Sequence, residues 1–300
     1  PAPAPAAAAA GGGATSSPDD ATAALKLSQA TTLGKIAAAI PDLAPKPDLS
    51  WPLDDHETVS GHRATLEGHD APGPANVAWI SDLTVDGRLS SLTVFNGPLN
   101  DVPHLMSRTT IDEDGSTMTY ELDFRPRAYG AYELVDGEGN YPGPETFGRK
   151  SFEYSAARND YFGKFCDDEV KAFFESTASS FEGGASVFDA SYDSNDFDKL
   201  TRGPLALAVQ MPLTEGNVAA ASAAQEKATE YWTGWATDDG HGHRPGAPVN
   251  TQYVYDAKFR INAYSGLLPK FTEMFGAEEG SRLAAADSGP LDEAYVGGGS

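Results

Sequence analysis

Cysteine and positive charge are the two features that this 300-residue sequence has least of. Cys166 is the only thiol, so the chain cannot form an internal disulfide or build a cysteine-based zinc or iron–sulfur site. Lys and Arg number 21 against 44 Asp and Glu, which gives a net charge of −23. Nucleic-acid binding requires clustered Lys and Arg, so we expect no nucleic-acid partner. No apolar run reaches the roughly 18 residues that a membrane-spanning helix needs, and we expect no such segment.

The two ends of the chain also lack the apolar residues that a folded element buries. Residues 1–20 are rich in Pro, Ala, Gly and Ser, and we expect a solvated low-complexity tail there. Residues 291–300 end in Gly-Gly-Gly-Ser and are expected to form a flexible C-terminus. Between them, residues 21–290 are predicted to form a single domain, which is long enough to bury a sizeable core.

Hydrophobic spacing predicts a block of strands between helices. Helices are expected over 19–41, 159–182, 217–237 and 253–286, the last interrupted near Gly266 and Pro269. Alternating residues on either side of Asp86-Gly87 predict one hairpin, and residues 103–111 and 116–124 predict a second. Residues 205–211 predict one more strand, whereas 184–202 are expected to be a surface loop. This order indicates an α+β fold, in which helices cover both sides of a mostly antiparallel sheet.

Few residues offer obvious chemistry. His241-Gly-His243 lies near two aspartates but within a Gly-rich turn, and we expect no metal site there. Asp256 stands among aromatic residues, close to Tyr255 and Phe259. Partial desolvation there would raise the pKa of the Asp256 carboxyl, as a proton donor requires. The alternative is a structural ion pair between Asp256 and Arg260, which are four residues apart on a helix.

Several short segments in one order resemble the red chlorophyll catabolite reductases, which belong to the ferredoxin-dependent bilin reductase superfamily. They cover about residues 75–286, and the longest lie near the C-terminus. The segments are Trp79-Ile-Ser, Glu121-Leu-Asp-Phe-Arg-Pro-Arg, Arg202-Gly-Pro-Leu-Ala, Thr229-Glu-Tyr-Trp, Asp256-Ala-Lys-Phe-Arg and Leu267-Leu-Pro-Lys-Phe-Thr-Glu-Met-Phe-Gly-Ala-Glu. The resemblance implies an α/β/α sandwich that binds an open-chain tetrapyrrole between its sheet and its C-terminal helices.

The resemblance also implies two acidic proton donors, and only one is matched here. Asp256 corresponds to the acid of the C-terminal helical segment, whereas Arg108 stands at the position of the acid on a central strand. Guanidinium cannot donate a proton, and we expect Arg108 to pair with Asp256 and to lower its pKa. The predicted substrate-binding residues are Arg108, Met106, Tyr120, Tyr255 and Arg260.

The replacement of the strand acid by Arg108 leaves two functions open. The missing acid and the charge of −23, which would repel acidic ferredoxin, favour a divergent, non-catalytic member of the family. It would be a binding or scaffold subunit of a thylakoid photosystem–antenna pigment–protein complex. The alternative is a ferredoxin-dependent reductase of a linear tetrapyrrole, either red chlorophyll catabolite or a bilin, with Asp256 as proton donor.

The expected cofactors, partners and location follow from the same resemblance. We expect no tightly bound cofactor, with ferredoxin as electron donor or with chlorophyll or a bilin as bound pigment. Photosystem or light-harvesting subunits, or ferredoxin, are the expected protein partners, and proteins would mediate any contact with the thylakoid surface. The sequence starts at Pro1 rather than Met and is rich in Gly and Ala, which suits a plastid protein of the stroma or the stromal face of the thylakoid.

Overall fold

The computed structural model describes residues 14–46, 59, 61–127, 163–188, 202–238 and 249–289. Eight strands in these residues form one sheet, in the order β1-β2-β3-β4-β5-β6-β8-β7 with every pairing antiparallel. The elements in chain order are α1 (Pro18–Ala39), β1 (Ala44–Pro45), β2 (Ala64–Ala71), β3 (Val77–Val85), β4 (Leu89–Asn96), β5 (His104–Ile111), β6 (Thr117–Arg125), α2 (Asp168–Ser180), β7 (Ala185–Ser186), β8 (Leu207–Pro212), α3 (Glu215–Ala236), α4 (Val249–Phe275) and α5 (Ala277–Asp287).

Both predicted hairpins are confirmed, and the turn residues explain their register. Gly87 has φ 69° and Gly115 has φ 66°, a left-handed conformation that glycine adopts without steric cost. The first turn pairs Val85 with Leu89 across β3 and β4, and the second pairs Ile111 with Met118 across β5 and β6. Alternate side chains of these strands therefore point to two distinct faces.

One face, here called the apolar face, packs against α1, α2 and α3. It includes Leu92 and Val94 of β4, Leu105 of β5, and Tyr120 and Leu122 of β6, all within one continuous hydrophobic cluster. The helices complete this cluster with Leu25, Ile36, Val170, Phe174, Val218, Ala228 and Trp232. Burial of these side chains supplies most of the apolar area that the sheet hides on this side.

The opposite face, here called the polar face, is covered by α4 and α5. Its margin on β2, β3 and β4 is apolar and packs against Leu267, Phe271 and Leu283 of the two helices. Its centre on β5 and β6 carries His104, Met106, Arg108, Glu121, Asp123 and Arg125. Helices thus cover both faces of the sheet, and the predicted α/β/α sandwich is confirmed.

Side-chain caps fix the starts of three helices. Ser17, Asp167 and Thr214 each accept a hydrogen bond from a backbone N–H in the first turn of α1, α2 and α3, which satisfies a donor that has no partner within the helix. The helix predicted over 159–182 is interrupted, because residues 163–165 are helical but the chain leaves the helix at Cys166 and Asp167 caps a new start at Asp168. Cys166, the residue before this cap, is buried.

Several predicted boundaries differ from the structure. Residues 15–20 do not belong to the tail predicted over 1–20, because Thr15 pairs with Thr214 and α1 already begins at Pro18; residues 1–13 lie outside the described residues. The predicted interruption near Gly266 and Pro269 is wrong: α4 continues through both, and the break comes at Gly276, which has φ 82°. Strands β1, β2 and β7 were not predicted. Within the described residues, no helix combines the length and apolarity needed to cross a membrane.

Candidate functional site

The polar face concentrates charged side chains on two neighbouring strands. Cross-strand register sets Arg108 of β5 opposite Glu121 of β6, and Met106 opposite Asp123. Alternation along each strand puts these four side chains on the same face. The charged side chains among them lie beneath the layer formed by α4 and α5. This position is unusual, because charged side chains are mostly exposed to water. Such clusters mark candidate sites for ligand binding or catalysis.

A cavity of about 380 Å³ opens between this part of the sheet and α4, and its volume is typical of small-molecule sites. Its wall combines four cations, two carboxylates, two phenyl rings and several aliphatic groups. The lining residues are Thr93, Met106, Arg108, Glu121, Leu122, Asp123, Arg125, Phe188, Arg202, Ala206, Leu207, Ala208, Phe259, Ala263, Gly266, Leu267 and Lys270. The cavity suits an extended, largely apolar ligand that carries negative groups.

Arg108 is held on the cavity wall by a buried carboxylate of α5. Its Nη2 lies 3.0 Å from Oδ2 of Asp287, and its Nη1 lies 3.7 Å from Oε2 of Glu121. Asp287 in turn accepts a hydrogen bond of 2.9 Å from the hydroxyl of Ser81. The expected pairing of Arg108 with Asp256 is therefore wrong, because α5 brings a different aspartate over the strand.

Asp256 belongs to a second buried cluster at the end of the sheet. Arg127 donates two hydrogen bonds to its carboxylate, of 3.0 Å from Nε and 2.6 Å from Nη2. His104 accepts a hydrogen bond of 3.0 Å at Nδ1 from the backbone N–H of Asn96, so its proton is on Nε2, which lies 3.3 Å from Oδ1 of Asp256. The two-point pairing of Arg127 with Asp256 is the strongest form of Arg–carboxylate contact.

The charges of this second cluster fix the protonation of its members. Burial raises the pKa of Asp256, but the Arg127 guanidinium and the His104 ring outweigh it and hold that pKa below its usual value. Burial lowers the pKa of His104 to about 4, and Arg127 lowers it further against the opposing effect of Asp256. Asp256 is therefore a carboxylate and His104 a neutral ring near pH 7, and the pKa rise that a proton donor at Asp256 needs is absent.

Aromatic packing separates the two clusters. The ring of Phe259, one turn after Asp256 on α4, lies 5.1 Å from that of His104 and 5.9 Å from that of Phe95. Phe259 also lines the cavity, whereas Asp256 is not among the lining side chains found in the described residues. Asp256 thus lies behind the Phe259 ring, outside the lining of the cavity. Its role as proton donor stays a prediction, and this geometry does not favour it.

The predicted substrate-binding residues are divided between different places. Met106 and Arg108 line the cavity. Tyr120 lies on the apolar face, where its hydroxyl is 3.1 Å from that of Ser107 and its ring contacts Phe181. Arg260 is buried, with its guanidinium 5.9 Å from the ring centre of Phe95. The side chain of Tyr255 lies outside the described residues, as do His241 and His243.

Six residues that the structure places in or beside the cavity were given no role in the site by the sequence analysis. They are Glu121, Asp123, Arg125, Arg202, Lys270 and Asp287. The alternation of β6 carried a usable signal, because it separated Glu121 and Asp123 from the apolar residues of the same strand. Asp287 carried no such signal, since nothing in the sequence relates the end of α5 to Arg108. Within the described residues, no group of three or more His, Cys, Asp or Glu side chains could hold a metal ion.

No family model matches the sequence, and no curated protein matches it. Among solved structures, phytochromobilin synthase from tomato, in complex with biliverdin, is similar with a TM-score of 0.57. The likeness covers 89% of this chain and 84% of that one at 10% sequence identity. The chain has the bilin reductase fold. The fold expected from the resemblance is thereby confirmed, whereas a specific relation to the red chlorophyll catabolite reductases stays a prediction.

Proposed function

We propose that the cavity on the polar face binds a linear tetrapyrrole. The observation that carries this proposal is a cationic and aromatic cavity, about 380 Å³ in volume, between the sheet and α4, in a fold shared with a protein that was solved with biliverdin. Biliverdin is a flat conjugated molecule with two propionates. Phe188 and Phe259 offer faces for its rings, and Arg108, Arg202 and Lys270 offer donors for its carboxylates.

The wall of the cavity also favours chemistry over a purely structural role. Besides the net charge of −23, the scaffold hypothesis had two premises: a sheet wall without an acid and a cation facing Asp256. Glu121 and Asp123 both line the wall, and the cation that faces Asp256 is Arg127, outside the cavity lining. The loss of these two premises favours the alternative, a reductase that adds two electrons and two protons to a bound linear tetrapyrrole.

Glu121 is the better candidate for proton donor. Asp123 is occupied, because it accepts hydrogen bonds of 3.0 and 3.2 Å from the N–H of Gly203 and pairs with Arg125 at 3.0 Å. The Glu121 side chain is 27% exposed, and its contact with Arg108 is a longer one of 3.7 Å. An acid in this position can reach both the ligand and the solvent, which must return each proton that is used.

The experiment titrates the protein with biliverdin and follows the absorbance of the pigment. Addition of reduced ferredoxin as electron donor then tests turnover. Glu121→Gln is expected to slow turnover by about 10²-fold or more with little change in biliverdin affinity. The control is Glu113→Gln, since Glu113 lies in the β5–β6 turn with its side chain 82% exposed. Absence of biliverdin binding would contradict the tetrapyrrole proposal itself.

Binding without turnover would instead favour the scaffold role. Under that role the chain would co-purify with photosystem or light-harvesting subunits from mild-detergent extracts of thylakoids. Recovery in the stroma alone would contradict it. The plastid location and these partners remain predictions from the sequence, and this fractionation tests both of them together.

A further inference from the structure

The geometry points to Asp287 as a positioning residue that fixes the Arg108 guanidinium on the cavity wall for a carboxylate of the ligand. The inference rests on the proposed tetrapyrrole site and adds a residue that does not itself touch the ligand. It starts from an unusual feature of α5. The helix ends in an aspartate whose side chain is fully buried, 0% exposed, against the centre of the sheet.

Three donors from three strands converge on this carboxylate. Ser81 of β3 donates to Oδ1 at 2.9 Å, and Ser91 of β4 donates to the same atom at 3.4 Å. Arg108 of β5 donates to Oδ2 at 3.0 Å. The two hydroxyls thus fix one oxygen and orient the other toward the guanidinium. Charge-assisted bonds of this kind are short and directional, so they also fix the orientation of Arg108.

A second contact holds the end of α5 over the sheet. The indole Nε1 of Trp79 donates a hydrogen bond of 2.7 Å to the carbonyl of Ala286, the residue before Asp287. Trp79 is 1% exposed, and a Cβ on Gly68 would lie only 1.8 Å from its ring. The ring therefore fits closely into β2 and β3, and it sets the position of the helix end over the sheet.

The remaining donors of Arg108 are what a ligand would use. Arg108 lines the cavity, and its Nε is buried with no hydrogen-bond partner in the described part of the chain. An unpaired buried N–H is unfavourable, so Arg108 has hydrogen-bonding capacity to spare, and the 13% of its side chain that is exposed is where an incoming carboxylate would contact it. Without Asp287, the guanidinium would be free to turn toward Glu121, its other neighbour at 3.7 Å. Asp287 thus keeps the cation available to the ligand.

The test compares biliverdin with its dimethyl ester, which has the same rings but no negative charge. Wild-type protein is expected to bind the diacid more tightly than the ester. Asp287→Asn should weaken binding of the diacid about tenfold or more, as expected when one charge-assisted hydrogen bond is lost, and should leave binding of the ester unchanged. Arg108→Gln should do the same, and the double variant should lose no more than Arg108→Gln alone.

Ser81→Ala is a milder variant, because it removes one hydrogen bond to Asp287 and keeps the charge pair. It is expected to reduce the preference for the diacid in the same direction by a smaller factor. Ser90→Ala is its matched control, since Ser90 is a buried serine on the apolar face. The control should leave the preference unchanged.

The outcomes separate this inference from the proposed function. If wild-type protein binds neither compound, both proposals fail. If it binds both without preference, or if Asp287→Asn weakens both equally, the positioning role is wrong and the tetrapyrrole site stands. Fully additive losses in the double variant would also overturn it, because Asp287 would then act independently of Arg108.

Discussion

The two faces of the sheet are built from the same strands and carry opposite kinds of interior. On the apolar face, Leu105 and Tyr120 pack into one cluster with three helices. On the polar face, Met106 and Glu121 directly follow these two residues and, with Arg108, line a cavity. Alternation along β5 and β6 therefore places a packed core and the lining of a charged cavity on opposite sides of the same strands.

The difference between the faces shows how a charged interior can be tolerated. Burial of a charge is costly unless a partner and further hydrogen bonds compensate for it. The polar face meets this condition twice, with Arg127 on Asp256 and with Arg108 on Asp287. The helical layer over the cavity is therefore held by directional ion pairs as well as by apolar packing. The helices on the other face combine their packing with neutral hydrogen bonds to the sheet, such as those from Thr84 to Gln29 and from Gln225 to Ser107.

The largest expected effect is the loss of stability when one of these pairs is broken. Arg127→Met removes both hydrogen bonds from the guanidinium to Asp256 and leaves the carboxylate buried without this cation. The expected cost is about 3–5 kcal/mol in the free energy of unfolding, measured by urea denaturation. A cost below about 1 kcal/mol would show that the pair does not hold the polar face together.

Two further variants test the origin of that cost. Replacement of both partners, Arg127→Met with Asp256→Leu, removes the uncompensated charge and should restore much of the stability. Lys171→Gln breaks an exposed ion pair with Asp168 on α2 and should leave the denaturation midpoint unchanged. A double variant as unstable as Arg127→Met would mean that the cost comes from the hydrogen bonds of Arg127 to Gly97, Asn100 and Val102, which both variants lose, rather than from the unpaired charge.

The next effect is a pH dependence of stability that has opposite signs for two groups on the two faces. Asp82 of β3 pairs with Leu92 on the apolar face, and His104 lies on the polar face. Burial, with the neighbouring Glu67 carboxylate, raises the pKa of Asp82 to about 7 from its ordinary 3.8. Between these values the folded state keeps a proton that the unfolded state has lost, so stability falls as pH rises through this window. Asp82→Asn should therefore stabilise the protein more at pH 8 than at pH 4, by about 1.4 kcal/mol for each unit of pKa difference that is realised.

His104 provides the internal control for this measurement. Its pKa is lowered to about 4 from 6.5, so the unfolded state binds the proton first as pH falls. The contribution of His104 to stability is therefore complete above about pH 6.5 and is lost as pH falls from 6.5 to 4. Asp82→Asn should leave this acid limb in place. If the variant instead changes both limbs together, the two groups are coupled and do not belong to separate faces.

The sequence predicted the sheet better than it predicted the site. Both hairpins followed from Asp86-Gly87 and Asp114-Gly115, because local turn chemistry determines strand pairing there. Strand β2 was missed, because its second half, Glu67-Gly-His-Asp, is polar and obscures the alternation. Most of the site depends on distant contacts: Arg108 and Asp287 are 179 residues apart. No local pattern records such a pair, so the cation was assigned to the wrong aspartate.

The smallest effect concerns Tyr120, which was predicted to bind substrate and lies on the apolar face. Tyr120→Phe removes the 3.1 Å hydrogen bond to Ser107 and keeps the ring in its cluster. The expected cost is about 0.5–1.5 kcal/mol in the free energy of unfolding, with no change in biliverdin affinity. The matched change on the polar face is Met106→Ala, which should weaken biliverdin binding. Met106 lines the cavity, whereas Tyr120 does not. A loss of biliverdin affinity in Tyr120→Phe as large as in Met106→Ala would therefore mean that the two faces do not act independently.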